Sequence, residues 1–228
     1  AASDVYKRQC LVGAEAEDNT ISAALDRAMA AGAEVRGTTS PNPPVGAVIV
    51  SAAGEVAGVG ATQPVGGAHA EVMALRAAGG KARGGTAVVT LEPCAHTGRT
   101  GPCTQALIDA GVACVYYLHS DPTSQAAGGA RALAEAGVDV IKLEKPPQVE
   151  DVLVPWLWAM RTRRPHITLK FAQSLDGFTA AADGTSQWIT GESARDWVHA
   201  DRARRDAIVV GTGTALSLIH ISEPTRPR

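Results

Sequence analysis

The chain has 228 residues, enough for one sizeable core or for one domain and part of a second. Its apolar content of 45%, charged content of 19% and net charge of −2 are ordinary for a globular protein and give no overall basic field that would attract nucleic acid. No apolar run approaches the roughly 20 residues that cross a bilayer, and no signal peptide is evident, so we expect a cytoplasmic protein.

The first predicted element is a helix capped by Asn19 or Thr20, with Ile21, Leu25 and Met29 on one face. The stretch "TSPNPPVG" then forces a turn. Two β-type runs, "VGAVIV" and "EVAGVGAT", follow and predict a hairpin. "AHAEVMALRAAGG" is typical of a helix that begins near His69 and ends at two glycines.

Strands and helices then alternate. "TAVVTLEP", "VACVYYLH" and "VDVIKL" are β-type runs, and "PCTQALIDAG" and "GARALAEAG" between them are helical. This alternation favours a sheet of largely parallel strands between layers of helices. The sequence therefore predicts an α/β fold for this part of the chain.

The composition changes near residue 146. Residues 146–165 read as a connecting helix and linker, followed by two β-type runs around "SLDG", a charged helix in "GESARDWVHADRARR" and a strand in "DAIVVGTGT". We interpret these later elements as the opening third of a second α/β domain. Residues 1–10 and 217–228 resemble translated sequencing adaptor, so we expect non-native ends on a fragment of a longer protein.

The four cysteines are Cys10, Cys94, Cys103 and Cys114. Two disulfides would use them all, but thiols or metal ligands are favoured in a chain without an export signal. Cys114 lies in an apolar run and reads as a small buried hydrophobe, while Cys10 falls in the adaptor-like end. Cys94 and Cys103 remain, and both follow a proline in "LEPCAHTGRTGPC".

Two thiolates leave a zinc site short of ligands, and "HAE" supplies a third in His69. Glu71, two residues later at a helix N-terminus, can face the open position as a proton carrier without being a ligand. This order of H-x-E, P-C and a second cysteine is the signature of zinc-dependent nucleobase deaminases. It predicts a hydrolytic deaminase in which His69, Cys94 and Cys103 bind zinc and Glu71 moves the proton.

Further motifs resemble one branch of the cytidine-deaminase-like superfamily, the bifunctional riboflavin-biosynthesis deaminase/reductases. They include "PNPPVGAVIV", "CAHTGRTGPC" with its eight residues between the cysteines, and "LKFAQSLDGFTAAADGTSQWITG". The similarity covers roughly residues 20–216. It implies a three-layer α/β/α deaminase domain with a mixed sheet at 19–145, the linker at 146–165 and the start of a dihydrofolate-reductase-like domain at 166–216.

The resemblance also implies the substrate, 2,5-diamino-6-(5-phosphoribosylamino)pyrimidin-4(3H)-one, which loses an amino group as ammonia. By position, Asn42 would hold the pyrimidine ring, and His96 and Arg99 would lie in the long cysteine loop, with Arg99 as a phosphate clamp. Asp121 matches the Asp-Pro of the family, but Thr123 stands where asparagine is usual.

For the reductase part, the resemblance assigns Ala172, Trp188 and Thr214 to NADPH and Ser186 and Arg202 to the substrate. Phe178 replaces a frequent arginine. The later strands and the glycine-rich phosphate loop of the family do not follow, so we expect no reductase activity from this chain.

The closest competing hypotheses are cytidine, guanine and tRNA-adenosine deaminases, which the wide cysteine spacing, the "PNP" segment and the reductase-like region disfavour. An alternative of another class is a non-catalytic zinc-stabilised module, and Glu71 argues against it. We expect a small-molecule substrate and no nucleic-acid or membrane partner. The family commonly forms dimers or tetramers, and the sequence leaves the oligomeric state open.

Overall fold

The computed structural model describes residues 14–96, 101–123, 128–144 and 151–218, with side chains described between 19 and 216 of these. Cys10, Arg99 and the adaptor-like ends lie outside that description, apart from the backbone at 217–218. The described residues form two compact units, one ending at Leu169 and the other beginning at Lys170. No helix of the described chain is both long and apolar enough to cross a membrane.

The first unit alternates helices and strands in the order that the sequence predicts. Its elements are α1 (Ala14–Glu34), β1 (Gly46–Val50), β2 (Val56–Ala61), α2 (Ala70–Ala78), β3 (Thr86–Leu91), α3 (Cys103–Asp109), β4 (Cys114–His119), α4 (Gly129–Glu135), β5 (Asp139–Lys142) and α5 (Val154–Thr162). A short 3-10 helix, Gly79–Ala82, extends α2.

The five strands form one mixed sheet in the order β2-β1-β3-β4-β5. β1 pairs antiparallel with both β2 and β3, whereas β3 pairs parallel with β4 and β4 with β5. Four strands therefore run in one direction and β1 runs against them, because the tight turn after β1 returns the chain as the predicted hairpin. The prediction of an α/β fold with a mixed sheet is confirmed.

The central strands β1 and β3 are buried on both faces, which explains their near-continuous apolar sequences. Successive residues of β1 alternate between two cores: Ala47 and Ile49 face α2 to α5, and Val48 and Val50 face α1. Cys114 lies in the core beneath α1, as expected of a small buried hydrophobe. The sheet is thus the middle of three layers.

The first helix begins earlier than the sequence analysis predicts. α1 starts at Ala14, five residues before Asn19, so neither Asn19 nor Thr20 is its cap. Four of the five added residues, "AEAED", are alanine or glutamate, which have high helix propensity. Good local propensity therefore carries the helix past a polar residue that could have capped it.

Helix α2 lies unusually close to the hairpin because β2 carries glycine where the two elements touch. A Cβ atom on Gly60 would overlap the backbone of Ala70 and Ala74. The facing positions on α2 are alanines, which are fully buried. These small residues hold the N-terminal turn of α2 against the sheet, and that turn carries His69 and Glu71.

Helix α5 falls in the segment expected to be a connection, yet it packs into the core of the first unit. Leu153 and Leu157 are buried in the cluster formed by the sheet and α2. Asp151, just before the helix, accepts a hydrogen bond from the N–H of Leu153 at 3.0 Å and contacts His119 Nε2 at 2.6 Å. The end of β4 therefore anchors the start of α5.

The second unit differs from the sequence expectation. It contains α6 (Glu192–Ala203) and α7 (Thr212–Leu218), and none of its described residues forms a strand. The β-type runs around "SLDG" and "DAIVVGTGT" are therefore wrongly predicted as strands, and residues 212–218 are helical. A strand needs a hydrogen-bonding neighbour and a face to bury, and here Leu175 and Val209 stay almost wholly exposed.

Candidate metal centre and active site

Three candidate metal ligands lie at one edge of the sheet, where the parallel strands have their carboxyl ends. His69 immediately precedes α2, Cys94 follows β3, and Cys103 is the first residue of α3. The open edge at the carboxyl ends of parallel strands is where α/β sheets commonly bind ligands. The chain returns to this edge after β2, β3 and β4, so residues distant in sequence converge there.

The candidate ligand atoms of His69, Cys94 and Cys103 all lie within 4.8 Å of one another. His69 Nδ1 is 3.6 Å from Cys94 Sγ and 3.3 Å from Cys103 Sγ. The backbone N–H of Cys103 donates to Cys94 Sγ at 3.4 Å, and the N–H of Thr104 donates to the Cys94 carbonyl oxygen at 3.2 Å. The start of α3 therefore holds Cys94 in place.

This donor set fits a zinc ion. Zn–N bonds of about 2.0–2.1 Å and Zn–S bonds of about 2.3 Å, at a tetrahedral angle, put nitrogen and sulfur about 3.6 Å apart. The two measured N–S separations lie close to that value. Both cysteines are buried and the histidine is partly buried, and three protein ligands are the number that a catalytic zinc has.

The electrostatics of the two thiols also suit a cation. Hydrogen bonds from Cys103 and His69 lower the pKa of the Cys94 thiol to about 4, against the opposing effect of burial. The same thiol pair raises the pKa of Cys103 well above its ordinary value, and burial adds to this. Its contact with Cys94 raises the pKa of His69. The contact between the two sulfur atoms therefore favours an ionised Cys94 beside a protonated Cys103, and a bound cation would favour ionisation of both thiols.

Glu71 lies in the first turn of α2 and is only 4% exposed. Burial raises the pKa of its carboxyl group to about 7, with a smaller rise from the charge of Cys94. Its side chain is close enough to Cys103 to share a hydrogen bond with it. A buried carboxyl group with a pKa near 7 can both accept and release a proton at neutral pH.

A cavity of about 460 Å³ opens beside the cluster. Its walls include four of the residues that the sequence analysis assigns to substrate or proton transfer, Asn42, Glu71, His96 and Asp121, and also Thr123. Asp121 Oδ1 accepts hydrogen bonds from the N–H and the hydroxyl of Thr123, at 2.8 and 2.6 Å. The threonine that replaces the usual asparagine therefore pairs with the neighbouring aspartate.

Glu92 and Trp156 are among the residues of this cavity that were not predicted as site residues. Glu92, in "TLEPC", is 8% exposed, and its two carboxylate oxygens accept from the N–H groups of Ala130, at 2.9 Å, and Asp121, at 3.3 Å. An acidic residue placed between an apolar strand and the candidate ligand Cys94 is a sequence signal that could have identified Glu92. Trp156, on α5, lines the cavity from a distant part of the sequence, and no local pattern marks it.

The residues assigned to the reductase part lie in the second unit. Ser186 and Trp188 line one shallow hollow there, together with Phe178, and the guanidinium of Arg195 lies 4.4 Å from the Trp188 ring centre. Ala172, Arg202 and Thr214 are not among the residues that line this hollow. The structure therefore brings only part of the predicted NADPH and substrate set together.

Comparisons with known proteins match both parts of the chain. Residues 18–119 match the cytidine and deoxycytidylate deaminase zinc-binding region, and residues 165–219 match the RibD C-terminal domain. The riboflavin biosynthesis protein RibD of Corynebacterium ammoniagenes is 68% identical over 196 residues, covering 86% of this chain and 58% of that protein. RibD of Mycobacterium tuberculosis is 51% identical, covering 87% of this chain and 59% of that protein.

A solved structure is similar over the same region. The diaminohydroxyphosphoribosylaminopyrimidine deaminase/5-amino-6-(5-phosphoribosylamino)uracil reductase of Thermotoga maritima superposes with a TM-score of 0.79 at 36% identity, covering 87% of this chain and 57% of that one. The chain thus spans less than two thirds of the length of these relatives. At such identity over most of its own length, the chain is similar to the bifunctional riboflavin-biosynthesis deaminase/reductases, and its residues 18–119 match the zinc-binding deaminase region.

Proposed function

We propose that this chain removes the 2-amino group of 2,5-diamino-6-(5-phosphoribosylamino)pyrimidin-4(3H)-one by hydrolysis. One water molecule is consumed, the bond from the ring carbon to the amino nitrogen breaks, a carbonyl forms and ammonia leaves. The product is 5-amino-6-(5-phosphoribosylamino)uracil, which the name of the Thermotoga relative gives as the substrate of its reductase. The convergence of two thiols, an imidazole and a buried carboxyl group beside one cavity carries this proposal.

In this proposal His69, Cys94 and Cys103 hold the zinc ion. The separations of their ligand atoms and the lowered pKa of Cys94 support that role. When bound, zinc supplies a water molecule whose pKa is lowered to about 7. No fourth protein ligand lies in the cluster among the described residues, which suits a catalytic rather than a closed structural site.

Glu71 is the proposed proton carrier. Its carboxylate takes a proton from the attacking water, and the resulting carboxylic acid gives that proton to the departing amino nitrogen. Burial favours this cycle because it brings the protonated and ionised forms close in free energy, as the pKa of about 7 indicates.

The substrate contacts rest on where the side chains lie. Asn42 belongs to a loop on the cavity wall and offers an amide that can donate to and accept from a pyrimidine edge. His96 is exposed at the wall, where a phosphoribosyl group could reach it. Arg99 stays a prediction as the phosphate clamp because it lies outside the described residues.

Other parts of the sequence interpretation also stay predictions. These are the NADPH contacts, the lack of reductase activity, the cytoplasmic location and assembly into homo-oligomers. The domain limits of 19–145, 146–165 and 166–216 are proposed on the same resemblance.

The replacement of Glu71 by Gln tests the proposed function, because glutamine keeps the shape of the side chain and cannot carry the proton. We expect zinc content and thermal stability to be retained while kcat falls by about 10²- to 10⁴-fold, the usual contribution of a general acid–base. Ammonia release from the phosphoribosyl pyrimidine is the assay, and Glu55→Gln, on an exposed turn, is the control.

Cytidine and tRNA tested in parallel separate the competing hypotheses. Faster release of ammonia from either of them than from the phosphoribosyl pyrimidine would contradict the proposed substrate. An E71Q variant that retains zinc and keeps its turnover within tenfold of the parent would contradict the role of Glu71.

A further inference from the structure

Helix α5 supplies a wall of the deaminase cavity although it lies beyond the matched zinc-binding region, which ends at residue 119. Its Trp156 is partly buried, packs against the main core and faces the same cavity as His69 and Glu71. Leu153 and Leu157 hold the helix in place because both are buried in the main core. The contribution of α5 to the cavity is therefore part of the packed fold.

The indole of Trp156 also makes a polar contact with the loop that carries Asn42. Its Nε1–H donates to the carbonyl oxygen of Pro41 at 3.1 Å, across 115 residues of sequence. Within the loop, the N–H of Asn42 donates to Thr39 O at 2.8 Å and the Thr39 hydroxyl donates to Asn42 O at 2.9 Å. The far end is tied by Val45, whose N–H lies 3.2 Å from Thr62 Oγ1.

The composition of this loop limits the hydrogen bonds that it can make internally. Prolines 41, 43 and 44 have no N–H group, so the loop has few donors with which to build a hydrogen-bonded turn. A hydrogen bond to the Pro41 carbonyl from another part of the chain limits the positions that the loop can take. Trp156 makes that bond.

We propose that Trp156 is a positioning residue for the substrate ring: its indole fixes the Pro41–Asn42 segment and forms part of the cavity wall. Through this contact the helix after the deaminase region sets how tightly the site binds its pyrimidine. This inference rests on the proposed function for the identity of the substrate. The contact itself rests on geometry alone.

The test compares three variants that separate the ring from its N–H group. Trp156→Phe keeps an aromatic wall and removes the donor, and Trp156→Ala removes both. Trp158→Phe is the matched control because Trp158 lies on the same helix, is 49% exposed and is not a cavity residue. Steady-state kinetics on the phosphoribosyl pyrimidine and bound zinc are measured for each.

We expect W156F to raise KM about fivefold, the effect of one ordinary hydrogen bond, and W156A to raise it more than W156F. The kcat of W156F should change less than twofold, because the hydrogen bond that is removed joins Trp156 to the Pro41 carbonyl and not to a candidate ligand or to Glu71. W158F should match the parent in both constants. Zinc content should be equal in all variants, which separates a positioning role from a loss of fold.

Hydrogen–deuterium exchange supplies a readout that does not depend on the substrate. The amides of Asn42 and Val45 should exchange faster in W156F than in the parent and in W158F. Unchanged exchange at these amides, or an equal KM in W156F and W158F, would overturn the inference. If the parent chain does not deaminate the phosphoribosyl pyrimidine, the proposed function fails, while the exchange result still decides the role of Trp156.

Discussion

The replacement of Glu92 by Gln is a stringent test of how the substrate side of the cavity is held. The Glu92 carboxylate is 8% exposed and accepts one N–H on each oxygen, from Ala130 at the start of α4 and from Asp121 after β4. Glutamine has one oxygen and one NH2 group. It can accept only one of the two bonds, and its NH2 group would face the other N–H as a second donor.

The cost follows from these contacts. A hydrogen bond to a charged group contributes about 1.5–3 kcal/mol, and a buried N–H left without an acceptor costs about 1–3 kcal/mol. Because one bond is lost and the other is no longer to an anion, we expect E92Q to lower the free energy of unfolding by about 3 kcal/mol. For a unit of this size, that corresponds to a fall in Tm of about 6–12 °C.

Thermal and urea unfolding of the zinc-loaded protein measure this effect. Glu55→Gln is the control, since Glu55 is exposed on the turn between β1 and β2 and should change stability by less than about 0.5 kcal/mol. KM should rise as well, because Asp121 and Thr123 line the cavity. An E92Q variant as stable as the control would refute the reasoning that this carboxylate supports both segments.

Two further predictions concern the sheet and the metal. Gly46→Ala should destabilise the protein by about 3 kcal/mol in urea unfolding, since the new Cβ would overlap the carbonyl oxygen of Ala28 on α1. The control is Gly80→Ala, which should be nearly neutral because the space around Gly80 is open. Equal stability of the two variants would contradict this prediction. Cys94→Ser should lose most bound zinc by mass spectrometry, whereas Cys114→Ala, in the opposite core, should keep it. A chelator should lower the Tm of the parent protein, and added zinc should restore it. A Tm that does not change with the chelator would contradict the binding of a metal by the folded protein.

Local patterns predicted most of the first unit. The hairpin, helix α2 near His69 and the strand before Cys94 follow from hydrophobic periodicity and from glycine and proline positions. The start of α1 was missed because several residues before Asn19 are equally good helix formers, so propensity alone does not select one end.

The same patterns failed in the second unit for a definite reason. "DAIVVGTGT" has the composition of a buried strand, yet Val209 is 94% exposed and no strand forms. The composition of a segment indicates that it is suited to a buried strand, but the strand forms only where a neighbouring strand is available for hydrogen bonding. The described residues of this unit supply none.

The sequence by itself determined the chemistry: two thiols, an imidazole and a carboxyl group in an order and spacing suited to a zinc deaminase. Only the tertiary structure decided which other groups reach that chemistry. Glu92 accepts hydrogen bonds from the segment after β4 and from the start of α4, and Trp156 donates a hydrogen bond to a loop 115 residues away in sequence. Spacing encodes the neighbours along a helix or strand, but contacts between distant segments depend on how whole elements pack. No local pattern could therefore have given the partners of Glu92, or have identified Trp156 as a residue of the site.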